Sequence, residues 1–391
     1  MTQASYDVVI AGGGAVGSAV AWFLRGERRA PLSVALIEPD PAYRFASTTL
    51  SAASIRQQFS TRENIALSQF GLEFFRTLKP RFGDDADIGF REHGYLYLGA
   101  PGSAAIMREN NALQRSMGAD IVLLEPDELA CRFPDLDVDG VEIASLGLSG
   151  EGWYDAHSLL MLMRKGAIAA GAEYITDRVE AIVAADGRVT GARLASGRTI
   201  SCGAFVNAAG AWAGDLAATA GVALPVEPRK RSVFVFACRA DIAMDNLLID
   251  TSGIWARRES GRWLAGWSPH GDEADPRGED LEVDHHIFEE IIWPALARRV
   301  PAFEAIRAEN AWAGFYDYNT VDQNAVIGPH PELANLFFAN GFSGHGLQQA
   351  PATGRAIAEL ILDGAYQSLD LAIFGFDRFA ANRPVIERNV I

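Results

Sequence analysis

Near the start of the chain, Gly12-Gly13-Gly14-Ala15-Val16-Gly17 satisfies the spacing G-x-G-x-x-G, and Glu38 follows downstream. Between a strand and a helix, such glycines have separate tasks. Gly12 permits a tight turn, Gly14 lets the backbone approach a pyrophosphate, and Gly17 lets helix pack on strand. The helix start then offers unpaired N–H groups and a positive dipole end to phosphate. A carboxylate at Glu38 accepts hydrogen bonds from ribose hydroxyls and repels a 2′-phosphate, so the pattern points to a dinucleotide. Other clusters read as structural. His285-His286 beside Asp284 is the pattern of a solvated helix start rather than of metal ligands, so no metal is expected. Arg229-Lys230-Arg231 precedes the strand SVFVFA and suits a sheet edge or pocket better than nucleic acid. The acidic run Glu273 to Glu282 reads as an exposed loop, and no G-x-S-x-G nucleophile motif occurs.

These residues need particular elements to hold them. Asp7 to Ala11 is a short β-branched run suited to a doubly buried strand, Val16 to Arg25 is helical in composition, and Ser33 to Glu38 is a second buried strand. Parallel strands of this kind require the crossover helix, giving a βαβ unit. Thr61 to Leu78, Ala104 to Met117 and Ala156 to Gly171 carry helical patterns, and His93 to Leu98 alternates like a strand. Further strands are expected around Val179 and Val189, at Phe205 to Gly210, Ser232 to Ala237, Gly253 to Ala256 and Leu336 to Asn340. Helices are expected at His286 to Arg299, interrupted at Pro294, and near Ala352 to Asp363.

After Glu38 the chain breaks into a Ser/Thr/Ala-rich loop, Pro39 to Ile55, instead of continuing in regular strands and helices. The sheet must be completed by distant segments near Val206 and Phe337, the habit of FAD-dependent rather than NAD-dependent oxidoreductases. Composition narrows the field further. The 391 residues carry a net charge of −16, which disfavours binding to nucleic acid or anionic lipid. Cys131, Cys202 and Cys238 are scattered, which argues against a disulfide scaffold or cysteine metal site and suits a reducing compartment. The apolar stretch Tyr6 to Leu24 lacks a basic leader and is interrupted by glycines, so neither signal peptide nor membrane span is expected.

The fingerprint, the loop Ser47-Thr48-Thr49 with Ile55-Arg56, the segment FVNAAGAWAG and the ending GFSGHG resemble the D-amino-acid-oxidase superfamily. Within it, the sarcosine oxidase and dimethylglycine dehydrogenase branch is most similar. WAGFYDYNTVDQNAVIGPHP and ANGFSGHGLQQAP also resemble mitochondrial FAD-dependent oxidoreductase-domain proteins involved in respiratory complex I assembly. With no Arg/Ser-rich leader, the chain looks like a bacterial, cytoplasmic relative. The resemblance implies an α/β fold in which a Rossmann-like FAD-binding domain (1–85, 148–221 and 325–391) interleaves with a mixed-sheet substrate domain (86–147 and 222–324), as in glutathione-reductase-type flavoproteins.

Carried over by position, Gly12, Gly14, Val16 and Gly17 hold the pyrophosphate, Glu38 the ribose, Ser47 and Thr48 the phosphates and flavin, and Val179 the adenine edge. Ala209, Gly210 and Trp212 match the ribityl contact. Gly344, His345, Gly346, Leu347 and Gln348 match the loop facing the flavin pyrimidine. Arg56 matches the arginine that grips a substrate carboxylate, with a surface or loop salt bridge as its other reading. Tyr316 matches a pocket-wall tyrosine, with Tyr318 in competition or either one simply packed in the sheet.

Three departures matter. Gly314 stands where a cysteine attaches flavin in monomeric sarcosine oxidases. Thr49-Leu50-Ser51 stands where dimethylglycine-type dehydrogenases use a histidine, so FAD is expected to be non-covalent. Leu264 and Gln348 replace two lysines, one oxygen-activating and one pairing with the substrate carboxylate. The implied reaction is oxidation of a secondary or N-methylated amino acid to an imine, with oxygen or an unidentified electron acceptor. A respiratory-complex assembly partner and a 2-hydroxy acid dehydrogenase are the alternatives; the oligomeric state stays open.

Overall fold

The computed structural model describes residues 4–269 and 275–388. One sheet assembles, in spatial order, Val326–Pro329, Leu336–Asn340, Thr199–Asn207, Ser5–Ala11, Val34–Glu38 and Glu173–Thr176. All neighbours in this series are parallel except Val326–Pro329. Val8, Val9 and Ile10 are buried on both faces, which explains the continuous β-branched run. The distant strands expected near Val206 and Phe337 pair directly, Val206 opposite Phe337. The hairpin Val179–Ala185 and Arg188–Leu194 extends this sheet through Thr199–Asn207.

The second sheet runs Ile306–Asn319, Val226–Cys238, Arg262–Trp267, Ile254–Glu259, Leu247–Ile249, Tyr95–Gly99, Ile143–Gly147 and Ile121–Leu124. It is antiparallel except where Leu247–Ile249 meets Tyr95–Gly99. Its outer core is aromatic, with Phe236, Trp263 and Phe303 mutually in contact.

The helix Ala15–Trp22 and the long helix Gly346–Asp363 pack together on the first sheet. A Cβ at Gly354 would lie 2.6 Å from the carbonyl carbon of Ala19, so only glycine permits this spacing. The helix carrying the glycine fingerprint is thereby set by the helix that follows the GFSGHG loop.

Several elements differ from the sequence expectation. His93 to Leu98 alternates in sequence, yet Tyr95–Gly99 is buried throughout, with Leu96 and Leu98 in one apolar cluster and Tyr95 and Tyr97 in another. The expected helix His286 to Arg299 is a π-helical turn, Phe288–Ile292, followed by the α-helix Trp293–Arg299. Pro294 lies in the first turn of the latter, directly after the π-helical turn of a continuous helical run. The last helix begins at Gly346 rather than Ala352 and contains Pro351. The strand expected to run to Gly210 ends at Asn207, and Gly210–Trp212 forms a 3-10 turn. The basic triplet lies inside Val226–Cys238, not before it.

Replacing Gly354 by Leu forces the two helices apart, and overpacking of this kind costs about 1–3 kcal/mol. Urea unfolding should show that loss for Gly354→Leu; an unchanged midpoint would contradict the contact.

Candidate active site

A cavity of about 1040 Å³ lies between the carboxyl ends of the parallel strands and one face of the second sheet. It reaches the top of the ~300–1,000 Å³ range of small-molecule sites and sits where open α/β sheets bind ligands. Gly12 takes φ +99°, and a Cβ there would fall 2.2 Å from the Ala208 oxygen. Gly17 lies equally close to the Gly12 carbonyl, 1.9 Å from a would-be Cβ, and is a packing residue that does not line the cavity. Gly14 and Val16 do line it. The Thr48 hydroxyl accepts from the Ala15 N–H at 3.1 Å, so the loop expected to follow the phosphates also caps this helix. Ser47 lies beside it on the cavity wall.

Glu38 is buried at the end of its strand, and its carboxylate accepts from the Gly13 N–H at 2.9 Å and the Asp40 N–H at 3.0 Å. Burial raises its pKa against those two bonds. Each oxygen retains lone-pair capacity toward the cavity. Val179, Ala209, Gly210 and Trp212 also line the cavity, with Trp212 48% exposed and edge-on to Phe315. Asn207 fixes this turn, accepting from the Ala209 N–H and donating to the Ala213 carbonyl.

At the far end, the first turn of Gly346–Asp363 has no side-chain cap. Gly344, His345, Gly346, Leu347 and Gln348 line the cavity there. The preceding loop hangs on Asp317, whose carboxylate accepts from the Phe342 N–H at 3.2 Å and whose carbonyl accepts from the Ser343 N–H at 3.1 Å. Desolvation pushes the Asp317 carboxyl up to about 6 despite these bonds.

Arg56 is 5% exposed and reaches the same end of the cavity. One guanidinium nitrogen lies 2.7 Å from His345 Nε2. An arginine can only donate, so Nε2 accepts and the imidazole is neutral. Burial and the neighbouring guanidinium both hold the His345 pKa well below its usual value. The guanidinium also lies 4.5 Å from the Phe59 ring centroid and 5.5 Å from that of Tyr97. Gln348 Oε1 accepts from the Arg56 backbone N–H at 2.8 Å, so this residue positions the arginine's main chain. Among the described residues Arg56 has no carboxylate within ion-pair distance.

Tyr316 lines the cavity, whereas Tyr318 does not. A Cβ on Gly344 would meet the Tyr316 ring at 2.6 Å, so tyrosine and loop are in close contact. Gly314 packs against Leu50, with a would-be Cβ 2.9 Å from Leu50 Cβ, leaving no room for a cysteine. Leu264 is buried and lies outside the lining.

The acidic run was expected to be an exposed loop. Glu273 and Ala274 lie outside the described residues, but Asp275 is buried and holds Arg231 through two 2.7 Å bonds. The other members of the basic triplet are also engaged, Lys230 with Asp280 and Asp284. His285 and His286 are exposed, and among the described residues no group of acidic, His or Cys side chains is placed to hold a metal. Sequence reasoning missed Asp317, Asp275 and the tyrosines Tyr95 and Tyr97. A lone acid between aromatics in FYDYN was the available signal for Asp317.

Two uncapped or loop-capped helix starts, a buried ribose-length carboxylate and a long cavity define a dinucleotide flavoprotein of the glutathione-reductase type. A family model described as FAD dependent oxidoreductase matches residues 7–360, and the chain belongs to this family. Its cofactor is FAD. The chain is 44% identical to FAD-dependent oxidoreductase domain-containing protein 1 of Xenopus laevis, covering 98% of this chain and 85% of that protein. It is 27% identical to glycine oxidase of Geobacillus kaustophilus, covering 95% and 97%. Among solved structures, L-proline dehydrogenase from P. horikoshii is similar at TM-score 0.85 and 25% identity, covering 98% and 100%. Among the described residues no helix is long and apolar enough to cross a membrane.

The raised Asp317 pKa carries a sign. Between about 4 and about 6 the folded state binds the proton and the unfolded state does not, so stability falls as pH rises through that window. At ~1.4 kcal/mol per pKa unit, the loss is on the order of 2–3 kcal/mol. Asp317→Asn removes this titration, so thermal melts should show the variant gaining on wild type from pH 4 to pH 7. Parallel curves would contradict the assignment.

Proposed function

We propose that the protein oxidises the C–N bond of a secondary or N-methylated amino acid, and the observation that carries this is Arg56. A buried guanidinium on the cavity wall, with no carboxylate on it among the described residues, suits a bidentate grip on a substrate carboxylate. FAD, when bound, supplies the two-electron acceptor. The chain contributes placement: Arg56 holds the carboxylate, His345 and Gln348 hold Arg56, and Tyr316 closes the wall against Gly344. Orienting a reactive C–H in this way accounts for much of a barrier without a dedicated base. The substrate enters as the free amine, and the imine formed by loss of a hydride and a proton is hydrolysed by water.

The same reading assigns Gly12, Gly14, Val16 and Thr48 to the pyrophosphate, Glu38 to ribose, and the amides of Gly346 to Gln348 to negative charge on the flavin pyrimidine. Attachment is non-covalent, supported by the filled space at Gly314 and by the absence of Cys131, Cys202 and Cys238 from the cavity wall. A dehydrogenase with its own electron acceptor rests on the resemblance, in which Leu264 stands for an oxygen-activating lysine, and Leu264 is buried outside the cavity wall. Every strand of the first sheet falls within 1–85, 148–221 and 325–391 and every strand of the second within 86–147 and 222–324, which supports the interleaved division into FAD and substrate domains. Three unpaired cysteines support a reducing compartment such as the cytoplasm.

Anaerobic addition of N-methyl, N-carboxyalkyl and D-amino acids to the FAD-loaded protein should bleach the flavin with at least one amine, and Arg56→Ala should slow bleaching by about 100-fold or more. Denaturation should release all the flavin into solution. No bleaching by any amine or hydroxy acid, with FAD retained, would favour a binding role such as assembly of a larger complex.

A further inference from the structure

We infer that the substrate end of the cavity is built for a monocarboxylic amino acid with a bulky apolar or aromatic side chain, rather than for glycine or sarcosine. The inference rests on the amine-oxidising reading above and adds the substrate's size and charge. Its first support is an unbroken cross-strand row. In register, Tyr97 stands opposite Ile249, Ile249 opposite Trp255, Trp255 opposite Gly266, Gly266 opposite Val233, and Val233 opposite Trp312. Directly opposed residues share a sheet face, and Tyr97, Ile249, Trp255 and Val233 all line the cavity. The Trp255 indole covers Gly266, where a Cβ would fall 2.6 Å from Nε1. Neighbouring strands lie ~4.8 Å apart, so Tyr97 to Trp255 alone spans a floor of about 10 Å.

The second support is the charge inventory. Arg56 borders this floor, its guanidinium 5.5 Å from the Tyr97 ring centroid and bonded to the neutral His345. Arg231, the other cavity arginine of the substrate sheet, is neutralised by the bidentate Asp275. Arg257, buried behind the wall, is taken by Glu259 and the Ala52 carbonyl. That leaves one guanidinium for one carboxylate, and a dicarboxylate would bring its second charge onto an aromatic floor. The third support is the Tyr97 ring, which lies on the cavity wall beside Arg56 while its hydroxyl has no exposed surface. Tyr97 therefore offers the side chain an aromatic face, and Trp255 sets specificity for it.

Flavin reduction in the FAD-loaded protein, measured anaerobically with sarcosine, N-methylphenylalanine and N-methylaspartate, tests this. The second-order constant for N-methylphenylalanine should exceed that for sarcosine by about 10–100-fold, with N-methylaspartate slowest. Trp255→Ala, checked for retained flavin absorbance, should collapse the ratio toward one. Sarcosine matching or beating the bulky substrate, or a ratio untouched by Trp255→Ala, overturns the inference. If no amine reduces the flavin, the reaction reading fails and binding decides the pocket. Phenylacetate perturbing the flavin spectrum at 10-fold lower concentration than acetate, dependent on Arg56, supports the floor, and equal affinities overturn it.

Discussion

A buried guanidinium without a carboxylate partner is costly to hold, and the site's architecture is arranged around that cost at Arg56. Its main chain is fixed from the flavin side by Gln348. Its side chain rests on the faces of Phe59 and Tyr97 and against an imidazole that burial and the arginine's own charge keep neutral. Compensating charge comes at longer range from Glu387 and from Glu151, which is fully buried and whose carboxylate accepts from the Gln57 N–H at 2.7 Å, the Gln58 amide at 2.9 Å and the Tyr95 N–H at 3.2 Å. Burial lifts the Glu151 pKa while those bonds and Arg56 pull it down. Beyond Phe59, Ser60 is clamped by Glu387 from the carboxyl-terminal tail. The guanidinium is thus braced by Phe59, by Tyr97 of the second sheet and by His345 before the last helix, and among the described residues no carboxylate neutralises it by direct contact.

That arrangement gives the net charge of −16 a second meaning. An acidic exterior repels a carboxylate at long range, so admission depends on the local field of a cation in a low-dielectric cavity. The same exterior is screened by salt, whereas the buried site is not. Helix dipoles reinforce the inward field, since the helices beginning at Ala15 and Gly346 both point their amino ends at the cavity.

What the sequence revealed and what it hid divide along physical lines. The fingerprint at Gly12 to Gly17, the acid at Glu38 and the interleaved strands near Val206 and Phe337 were legible because backbone geometry there demands particular residue types. Arg56 and the GFSGHG loop were legible as motifs, but the Arg56–His345 contact was not, since it joins residues far apart in the chain. The substrate floor was invisible for the same reason: Tyr97, Ile249 and Trp255 become neighbours only through strand register. Asp275 misled because an acidic run normally signals solvation, and only its pairing with Arg231 within the fold makes burial affordable. The π-helical turn at Phe288–Ile292 left no mark beyond Pro294.

The role proposed for Arg56 is to seat the substrate carboxylate at the flavin end of the cavity. A crystal structure of the FAD-loaded protein with bound phenylacetate tests it most directly. Both carboxylate oxygens should lie about 3 Å from the Arg56 guanidinium, with the ring on the Tyr97–Trp255 floor. A carboxylate bound elsewhere, or Arg56 found paired to a protein carboxylate, would contradict it.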